Sequence, residues 1–369
     1  LMEVASQIGR VRLLAPLYRQ SGLADIEYNK VNENTKSKPL FKRMKSQKSI
    51  EIADSTLTHK KLMELHNSLK RRLKPEAESL KSCQTPSELF HLNRRVKQQH
   101  NHFLHRLGFP VGSDFKVHLK KAPEVRILGQ ALRSLLETPG PVFLSAKLWE
   151  GIISADKWHT KGIAVEGLNE PIYPLYGVWA PTCQDYLKLF KEYQPEGSWT
   201  DVGCGTGVLS LLLAKKELKV VALDSSKQAA KCTALNARHQ GLDVEVLHAD
   251  VNDLELKTQN IICNPPWVPV AKATMLDEGS YDPNEQLLVG TFKKASELKK
   301  GGRLVLIYSD LAYNLGLQKQ ARVQELAEES GLKLTNQLSR PLPLTLDTEN
   351  PLKPFKDNSS MFLYEFAKL

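Results

Sequence analysis

From residue 198 onward, short apolar runs of strand length alternate with segments whose apolar positions recur every three or four residues, the pattern of an α/β fold. Apolar runs at 198–202, 219–224, 244–250 and 260–263 are expected to be strands, and a helix is expected directly after the first. Leu288, Phe292 and Ala295 mark one face of a later helix that Gly301-Gly302 ends. Residues 303–310 predict a central strand, and Val323, Leu326 and Ala327 mark the next helix. Residues 332–340 and 361–369 are expected to be the last two strands, separated by a loop carrying Pro341, Pro343, Pro351 and Pro354. No internal repeat is visible.

Before residue 140 the pattern predicts a mainly helical region. Residues 29–58 are polar, basic and poor in aromatics, and are expected to form a linker; residues 59–74 predict a short basic helix ending near Pro75. At Thr85-Pro86-Ser87-Glu88 a threonine suited to capping, a proline suited to the first helical position and a glutamate three residues on form a capping box. The helix that follows should run to about Leu107, with Leu89, Leu92, Val96, Phe103 and Leu107 on one face and Arg94, Gln98, Asn101 and His105 opposite; Gly108 and Pro110 should close it. His100, His102 and His105 have no carboxylate or cysteine set beside them and predict no metal site. A further helical pattern surrounds Ile127, Leu132, Leu135 and Leu136, before Pro139-Gly140-Pro141, and Trp149, Trp158 and His159 are expected to be packing residues. The expected division is 1–140, a connecting segment 141–197, and 198–369.

Composition changes this picture in one respect. The chain of 369 residues carries a net charge of +10, but residues 1–140 hold 26 Lys plus Arg against 13 Asp plus Glu, a net of +13, which leaves −3 for the rest. The whole basic excess, with seven of the ten histidines, therefore lies outside the α/β segment. Lys42-Arg43, Lys45, Lys48, Lys60-Lys61, Lys70-Arg71-Arg72 and Arg94-Arg95 recur as clusters, which points to a polyanionic partner. A solvated lysine-rich surface is the alternative. No apolar run is long enough to span a bilayer, so no membrane association is expected. Five cysteines, an odd number without a Cys-x-x-Cys pair, point away from disulfides and structural zinc and towards a reducing compartment. The cytoplasm is the expectation, with a mitochondrial or other organellar location the alternative should a targeting segment precede Leu1.

The chemistry concentrates at four strand ends. Asp201-Val202-Gly203-Cys204-Gly205-Thr206-Gly207 is a glycine-rich turn from strand to helix, where missing Cβ atoms and positive φ let backbone approach a bound molecule. Asp224, about twenty residues on, suits both hydroxyls of a ribose. Asp250 ends the next run, and Asn264-Pro265-Pro266-Trp267 makes a rigid polar corner after another. The spacing of Gly203, Gly205 and Gly207 is not the Gly-x-Gly-x-x-Gly of dinucleotide dehydrogenases. A carbonyl from Asn264 and one from Pro265 can accept the two N–H bonds of a planar nitrogen and aim its lone pair, while Trp267 offers a stacking face. Cys204 and Cys263 flank the turn and are expected to be small apolar packing residues.

This succession resembles the class I S-adenosylmethionine-dependent methyltransferases over roughly residues 170–369, and Asn264-Pro265-Pro266-Trp267 resembles the branch that methylates planar nitrogens, on base amines or glutamine. The resemblance implies a Rossmann-like seven-stranded sheet whose last strand is antiparallel, with S-adenosylmethionine as cofactor. It implies that Asp201, Gly203, Cys204, Gly205 and Gly207 face the methionine end, that Asp224 with Ser225 holds the ribose, and that Asp250 with Val251 meets the adenine, Asn264 closing the site. Residues 172–187 are similar to the lead-in of amino- and glutamine-methylating members, which places Pro181 and Thr182 near the cofactor and Tyr186 one turn along the next helix. Asn264, Pro265, Pro266 and Trp267 are then the catalytic corner, followed by a loop with Lys272, Asp277, Glu278, Tyr281 and Asp282 in which acceptor choice could reside. The expected acceptor is an exocyclic base amine in a nucleic acid, RNA ahead of DNA, because of the basic first part. Glutamine methylation of a translation or ribosomal protein is the alternative. A non-catalytic RNA- or ribosome-binding assembly factor is a third, against which the intact Asp201, Asp224, Asp250 and Asn264 argue.

Overall fold

A computed structural model describes residues 12–13, 28–73, 82–135, 142–271 and 281–369. The chain divides into two compact units, Leu1–Cys83 with His91–Lys157, and Gln84–Phe90 with Trp158–Leu369. Leu136 and the Pro139-Gly140-Pro141 break lie outside the described residues.

The first unit keeps the expected helices but also holds strands that the pattern does not predict. It contains a five-stranded sheet of β1 (Arg12–Leu13), β2 (Tyr28–Val31), β3 (Ile50–Ala53), β4 (Leu107–Val111) and β5 (Val142–Ser145) in the order β1-β5-β4-β3-β2. Only the β4–β5 pair is antiparallel. Residues 29–58 are thus not a linker but β2, the helix Ser37–Ser46 and β3. The apolar pattern of β3 is interrupted by Glu51, whose fully buried carboxylate pairs with Arg43 and accepts from Ser49 Oγ (3.0 Å) and Asn29 Nδ2 (3.2 Å). Satisfying the charge internally lets an acid occupy a strand interior. Gly108 and Pro110 do not close a helix; both lie in β4. A Cβ on Gly108 would lie 2.3 Å from the Leu144 carbonyl oxygen, so glycine is what lets β4 approach β5.

The helices of the first part of the chain fall closer to expectation. His59–Arg72 matches the basic helix at 59–74, and Pro86–Leu104 carries the capping box, with Thr85 Oγ1 accepting from Glu88 N (3.2 Å) and Glu88 Oε2 from Thr85 N (3.3 Å). Its buried positions are Phe90, Asn93 and Leu104 rather than the expected stripe, and His105 turns inward instead of lying on the polar side. Trp149 on the helix Ala146–Lys161 is fully buried, edge-on to Phe109 (5.5 Å) and His59 (6.2 Å), whereas Trp158 is 41% exposed. The pairing of β5 with β4 explains why this unit continues to Lys157.

In the second unit β6 (Trp199–Val202), β7 (Val220–Asp224), β8 (Glu245–His248), β9 (Asn260–Cys263), β10 (Arg303–Ser309), β11 (Leu332–Pro341) and β12 (Ser360–Lys368) form one sheet. The order is β11-β12-β10-β9-β6-β7-β8, with β12 antiparallel to both its neighbours and the other pairs parallel. Its central strands are buried on both faces: Val305 and Ile307 join one apolar cluster while Leu304, Leu306 and Tyr308 join the other. The expected helical faces are in place, Leu288, Phe292 and Ala295 on Gln286–Ala295, and Val323, Leu326 and Ala327 on Arg322–Glu329, all buried. This is the Rossmann-like, seven-stranded α/β sheet. Among the described residues no helix is long and apolar enough to cross a membrane.

The buried histidines give the first unit a pH dependence. His105 Nδ1 lies 2.7 Å from Ser145 Oγ, which also accepts the Leu148 N–H, and burial pushes the imidazole from its ordinary 6.5 down to about 4. Burial likewise lowers His59 and His66. Above pH 6.5 the ring is neutral in both folded and unfolded chains, so this stabilisation is complete. Below it the unfolded chain takes the proton first, so stability falls until the folded ring titrates near 4. His105 alone should remove about 3 kcal/mol over that window. Urea unfolding at steps of pH tests this: His105→Gln should be the less stable protein at pH 7 and show a visibly shallower loss between pH 6.5 and 4.

Candidate active site

The order of the sheet fixes where a site can form. β6 and β9 are hydrogen-bonded neighbours with Val202 opposite Cys263, and the strand order reverses between them. Loops leaving such a point diverge and open a crevice at the carboxyl ends of the strands. The glycine turn leaves β6 there, Asn264 leaves β9 beside it, and Asp224 ends β7 on the other flank. The expected residues at the ends of β6, β7, β8 and β9 are therefore brought together by topology.

The turn is held closely on its inner side. Gly203 N and Cys204 N both donate to the Leu223 carbonyl (2.8 and 3.0 Å), and Gly207 N donates to Cys204 O (2.7 Å). Gly203, Gly205 and Gly207 have φ of 74°, 56° and 89°, the left-handed region that favours glycine, and Gly207 opens the buried helix Val208–Ala214. A Cβ on Gly207 would meet Thr233 at 3.0 Å and one on Gly203 would meet Leu287 at 3.1 Å, but one on Gly205 would meet nothing within 4 Å. The loop is packed below and open at its crest, a cradle that fits a molecule laid along the backbone.

Asp201 lies beneath the turn. Its Oδ2 accepts from Ser210 N (3.0 Å) and Ser210 Oγ (2.5 Å), tying β6 to the helix. Burial raises its pKa to about 6 against the opposing pull of those two bonds. Asp224 is oriented by backbone: Oδ2 accepts from Gly205 N (3.0 Å) and Oδ1 from Ser226 N (2.8 Å). A carboxylate at the end of β7 is an acceptor-only group of the kind that binds hydroxyls. Ser225 beside it is exposed. Asp250 is exposed and caps the short turn Val251–Asp253, its Oδ1 accepting from Asn252 N (2.9 Å), while Val251 is buried against the helix Gln286–Ala295, 2.7 Å from where a Gly290 Cβ would stand.

At the corner, Trp267 Nε1 donates to Asn264 Oδ1 at 3.2 Å, which fixes the amide with its oxygen side defined. Pro265 is buried, Pro266 and Trp267 are partly so, and Trp267 packs against the apolar clusters of both sheet faces. The indole and amide thus form one rigid piece. In the lead-in, Pro181 is buried and its carbonyl accepts from Gln184 Nε2 (3.2 Å), Thr182 is exposed, and burial followed by the Asp201 charge pushes the Tyr186 hydroxyl upward, so it stays protonated. Burial also drives Cys204 and Cys263 well upward, so neither is a thiolate. Lys272, Asp277 and Glu278 lie outside the described residues. Asp282 is buried and accepts from Leu287 N and Leu288 N (3.0 Å each), starting the helix Gln286–Ala295. Among the described residues no group of three or more His, Cys, Asp or Glu could hold a metal ion.

Three residues absent from the sequence expectation complete the site. Thr233 Oγ1 donates to Gly205 O (3.0 Å), and Asn236, one turn further along the helix Lys227–Gln240, donates from Nδ2 to Thr206 O (3.0 Å) while its Oδ1 accepts from Tyr173 N (2.8 Å). Leu287 covers Gly203. The one signal for Thr233 and Asn236 is a pair of short polar residues three apart on a helix face otherwise made of Ala and Cys.

This sheet order, with a glycine turn, a carboxylate and an Asn-Pro-Pro-Trp corner at one end, defines a class I S-adenosylmethionine-dependent methyltransferase. Residues 186–335 match the methyltransferase small domain. Over 160 residues it is 27% identical to a protein assigned as an N5-glutamine methyltransferase in Methanocaldococcus jannaschii, covering 40% of this chain and 80% of that one. It is 26% identical over 159 residues to the release factor glutamine methyltransferase of Enterococcus faecalis, covering 40% and 57% respectively. With the ribosomal RNA small subunit methyltransferase C of Pseudomonas fluorescens it shares 30% over 119 residues, covering 31% and 33%. The match therefore spans most of the archaeal relative and less than two thirds of either bacterial one.

The role of Asn236 can be tested directly. Asn236→Ala should weaken S-adenosylmethionine binding about tenfold by calorimetry while the sheet stays folded, since the glycine loop and residue 173 both lose a buried hydrogen bond of roughly 1 kcal/mol each. Unchanged affinity would show that the loop is positioned without it.

Proposed function

We propose that the protein methylates a planar nitrogen, most favourably an exocyclic base amine in RNA. The observation that carries this is the Asn264 carboxamide, held by Trp267 at the carboxyl end of β9 beside the open glycine cradle. In this reading the turn from Gly203 to Gly207, with Cys204 and Asp201 behind it, lies along the methionine part of the cofactor. Asp224 and Ser225 hold the ribose, Asp250 and Val251 border the adenine, and Pro181 and Thr182 wall the methyl end. Bound S-adenosylmethionine supplies an electrophilic methyl group on a sulfonium.

The chain's own residues prepare the acceptor. An amine conjugated to a base is a weak nucleophile because its lone pair is delocalised. Asn264 Oδ1, with one lone pair taken by the indole and one remaining, and the Pro265 carbonyl accept its two N–H bonds. That holds the nitrogen with its lone pair facing the cradle and favours the charge that grows on it. Pro265 and Pro266 present carbonyls without competing donors, and Trp267 provides a face on which an unpaired base can stack. Strong general bases are not required, in keeping with the absence of a thiolate among these residues. The high net charge of residues 1–140 supports RNA as the carrier of the base.

A second reading, methylation of a glutamine side chain on a translation protein, is favoured by the archaeal relative, whose length is covered to 80%. The same two carbonyls would serve a carboxamide nitrogen.

Methyl-labelled S-adenosylmethionine with an extract lacking the native enzyme separates the two. Label in RNA, lost with Asn264→Ala, is the expected result; label in a protein band would replace RNA with glutamine. Asn264→Ala should keep cofactor affinity and lose turnover by on the order of a hundredfold, as for loss of one oriented transition-state partner. Asp224→Ala should do the reverse first, weakening cofactor binding at least about tenfold; wild-type affinity there would displace the ribose from Asp224.

A further inference from the structure

We propose that in the first unit the outer face of the helix Ser37–Ser46, with the end of the helix Pro86–Leu104, is a docking surface for the phosphate backbone of RNA. This deepens the RNA reading above and rests on it.

At 100° per residue, Lys38, Phe41, Lys42 and Lys45 share one side of the helix Ser37–Ser46, and Leu40 and Met44, each 1% exposed, lie on the other. Arg43 is turned to the buried Glu51 and takes no part. The helix contains no acidic residue, so its lysines have none of the i, i+4 partners that usually neutralise a solvated helical face. Among the described residues no carboxylate lies within ion-pair distance of Lys38, Lys42, Lys45 or Lys48. By contrast, Lys70 and Lys147 of this unit gather with His66 on Glu150.

The cations here are also ordered. Lys45 Nζ stands 5.6 Å over the Phe41 ring, Phe41 meets Phe103 edge-on at 5.5 Å, and the Arg106 guanidinium lies 5.3 Å over Phe103. Arg106, 8% exposed and donating to Ser49 O (2.9 Å) and Gln47 O (2.6 Å), fixes Phe103, and through the two rings Lys45 is ordered before any ligand arrives, which lowers the entropy cost of binding one. Both rings remain partly exposed. The local potential registers on neighbouring imidazoles: after burial, Lys45 lowers His100, and Arg106 and Lys48 lower His102. Cations with half-exposed aromatic faces among them suit a strand whose phosphates pair with lysine and whose unpaired bases can stack. An acidic peptide would use the charges but leave the rings unused.

The test uses the full chain and a fluorescein-labelled RNA stem–loop of about 20 nucleotides, a length beyond the ~16 nucleotides one single-strand site occupies, titrated by anisotropy at several salt concentrations. The triple variant K42E/K45E/K48E should bind at least about a hundredfold more weakly, and its slope of log affinity against log salt should be shallower by about 2, three phosphate contacts at ~0.7 each. K42R/K45R/K48R should retain binding, and S-adenosylmethionine affinity should be equal in all three proteins, showing that they are folded. In the wild type, RNA should raise the pKa of His100 and His102 by NMR, because phosphates cancel the positive field that lowers them. Wild-type affinity and slope in the glutamate variant would overturn the proposal. So would equal or tighter binding of DNA of the same sequence or of polyglutamate. Since binding is read without turnover, RNA bound through these lysines but never methylated would overturn the acceptor assignment and leave the surface standing.

Discussion

The side chain of Asn236 is the junction on which the geometry of the site depends. It is 2% exposed, and its amide joins two segments that have little regular structure of their own: the glycine turn, through Thr206 O, and the lead-in, through Tyr173 N. A loop with three left-handed glycines has no intrinsic reason to hold one shape. Beyond its bonds to Leu223 O and Asp224 it is held by Thr233 and Asn236, and these are placed by the helix Lys227–Gln240, which begins at a Ser226 cap and ends at Gly241 in the left-handed conformation. Cys232 adds to the same anchoring, its sulfur accepting from Leu175 N at 3.4 Å. Two mobile-by-composition pieces are thereby referred to one rigid element, and their relative position becomes as well defined as the helix.

The opposite wall is built by another helix and a more costly device. Gln286–Ala295 covers Gly203 with Leu287, meets Val251 at Gly290 and reaches Cys263 with Thr291 (3.6 Å). Its start is fixed by Asp282 accepting two backbone N–H groups, and directly after come two non-glycine residues with positive φ, Asn284 (54°) and Glu285 (57°). Such residues cost about 1 kcal/mol or more each and persist only where the surroundings over-determine them. Here Glu285 accepts from Arg322 Nε and Gln318 Nε2, both at 2.7 Å, and Gln318 reaches the Tyr308 hydroxyl on β10 at 3.0 Å. The chain after the Asn-Pro-Pro-Trp corner is therefore tied back to the sheet before the helix begins, so that the wall of the site and its corner share one frame.

How much of this was legible in the sequence follows from where each apolar pattern came from. The central strands β6, β7, β9 and β10 are buried along almost their whole length and give short apolar runs, so these elements could be read from the sequence. The sheet of the first unit could not. β2 is Tyr-Asn-Lys-Val and β3 hides Glu51, whose burial is intelligible only once Arg43, Ser49 and Asn29 are seen around it. Its pairs also join residues far apart in the chain, Glu51 with Leu107 and Phe109 with Leu144, which no local period reveals. The helix Pro86–Leu104 was legible at its capped start, where the signal is local, and misjudged along its length, because Phe90 packs with Val268, Val270, Leu315 and Leu352 while Leu104 faces a different core. Thr233 and Asn236 were invisible for the reason that makes them effective: they satisfy backbone carbonyls of a distant loop rather than any neighbour in sequence.

Under the role proposed for the corner, the separation of charge along the chain has a physical reason. A planar amine is neutral before it reacts, and carbonyl acceptors favour the positive charge that develops on it, so the walls of such a site gain nothing from lysine or arginine. The buried carboxylate of Asp201 and the acids at the ends of β7 and β8 belong in the same field. A cluster of cations among them would oppose it across a low-dielectric interior. Attraction for a polyanion must then come from residues outside the crevice, and that is where the excess lies: +13 in residues 1–140 against −3 beyond them. Under the RNA reading, one unit supplies a salt-dependent grip on phosphate and the other a nearly charge-neutral geometry for one nitrogen, so each can be altered without disturbing the physical basis of the other.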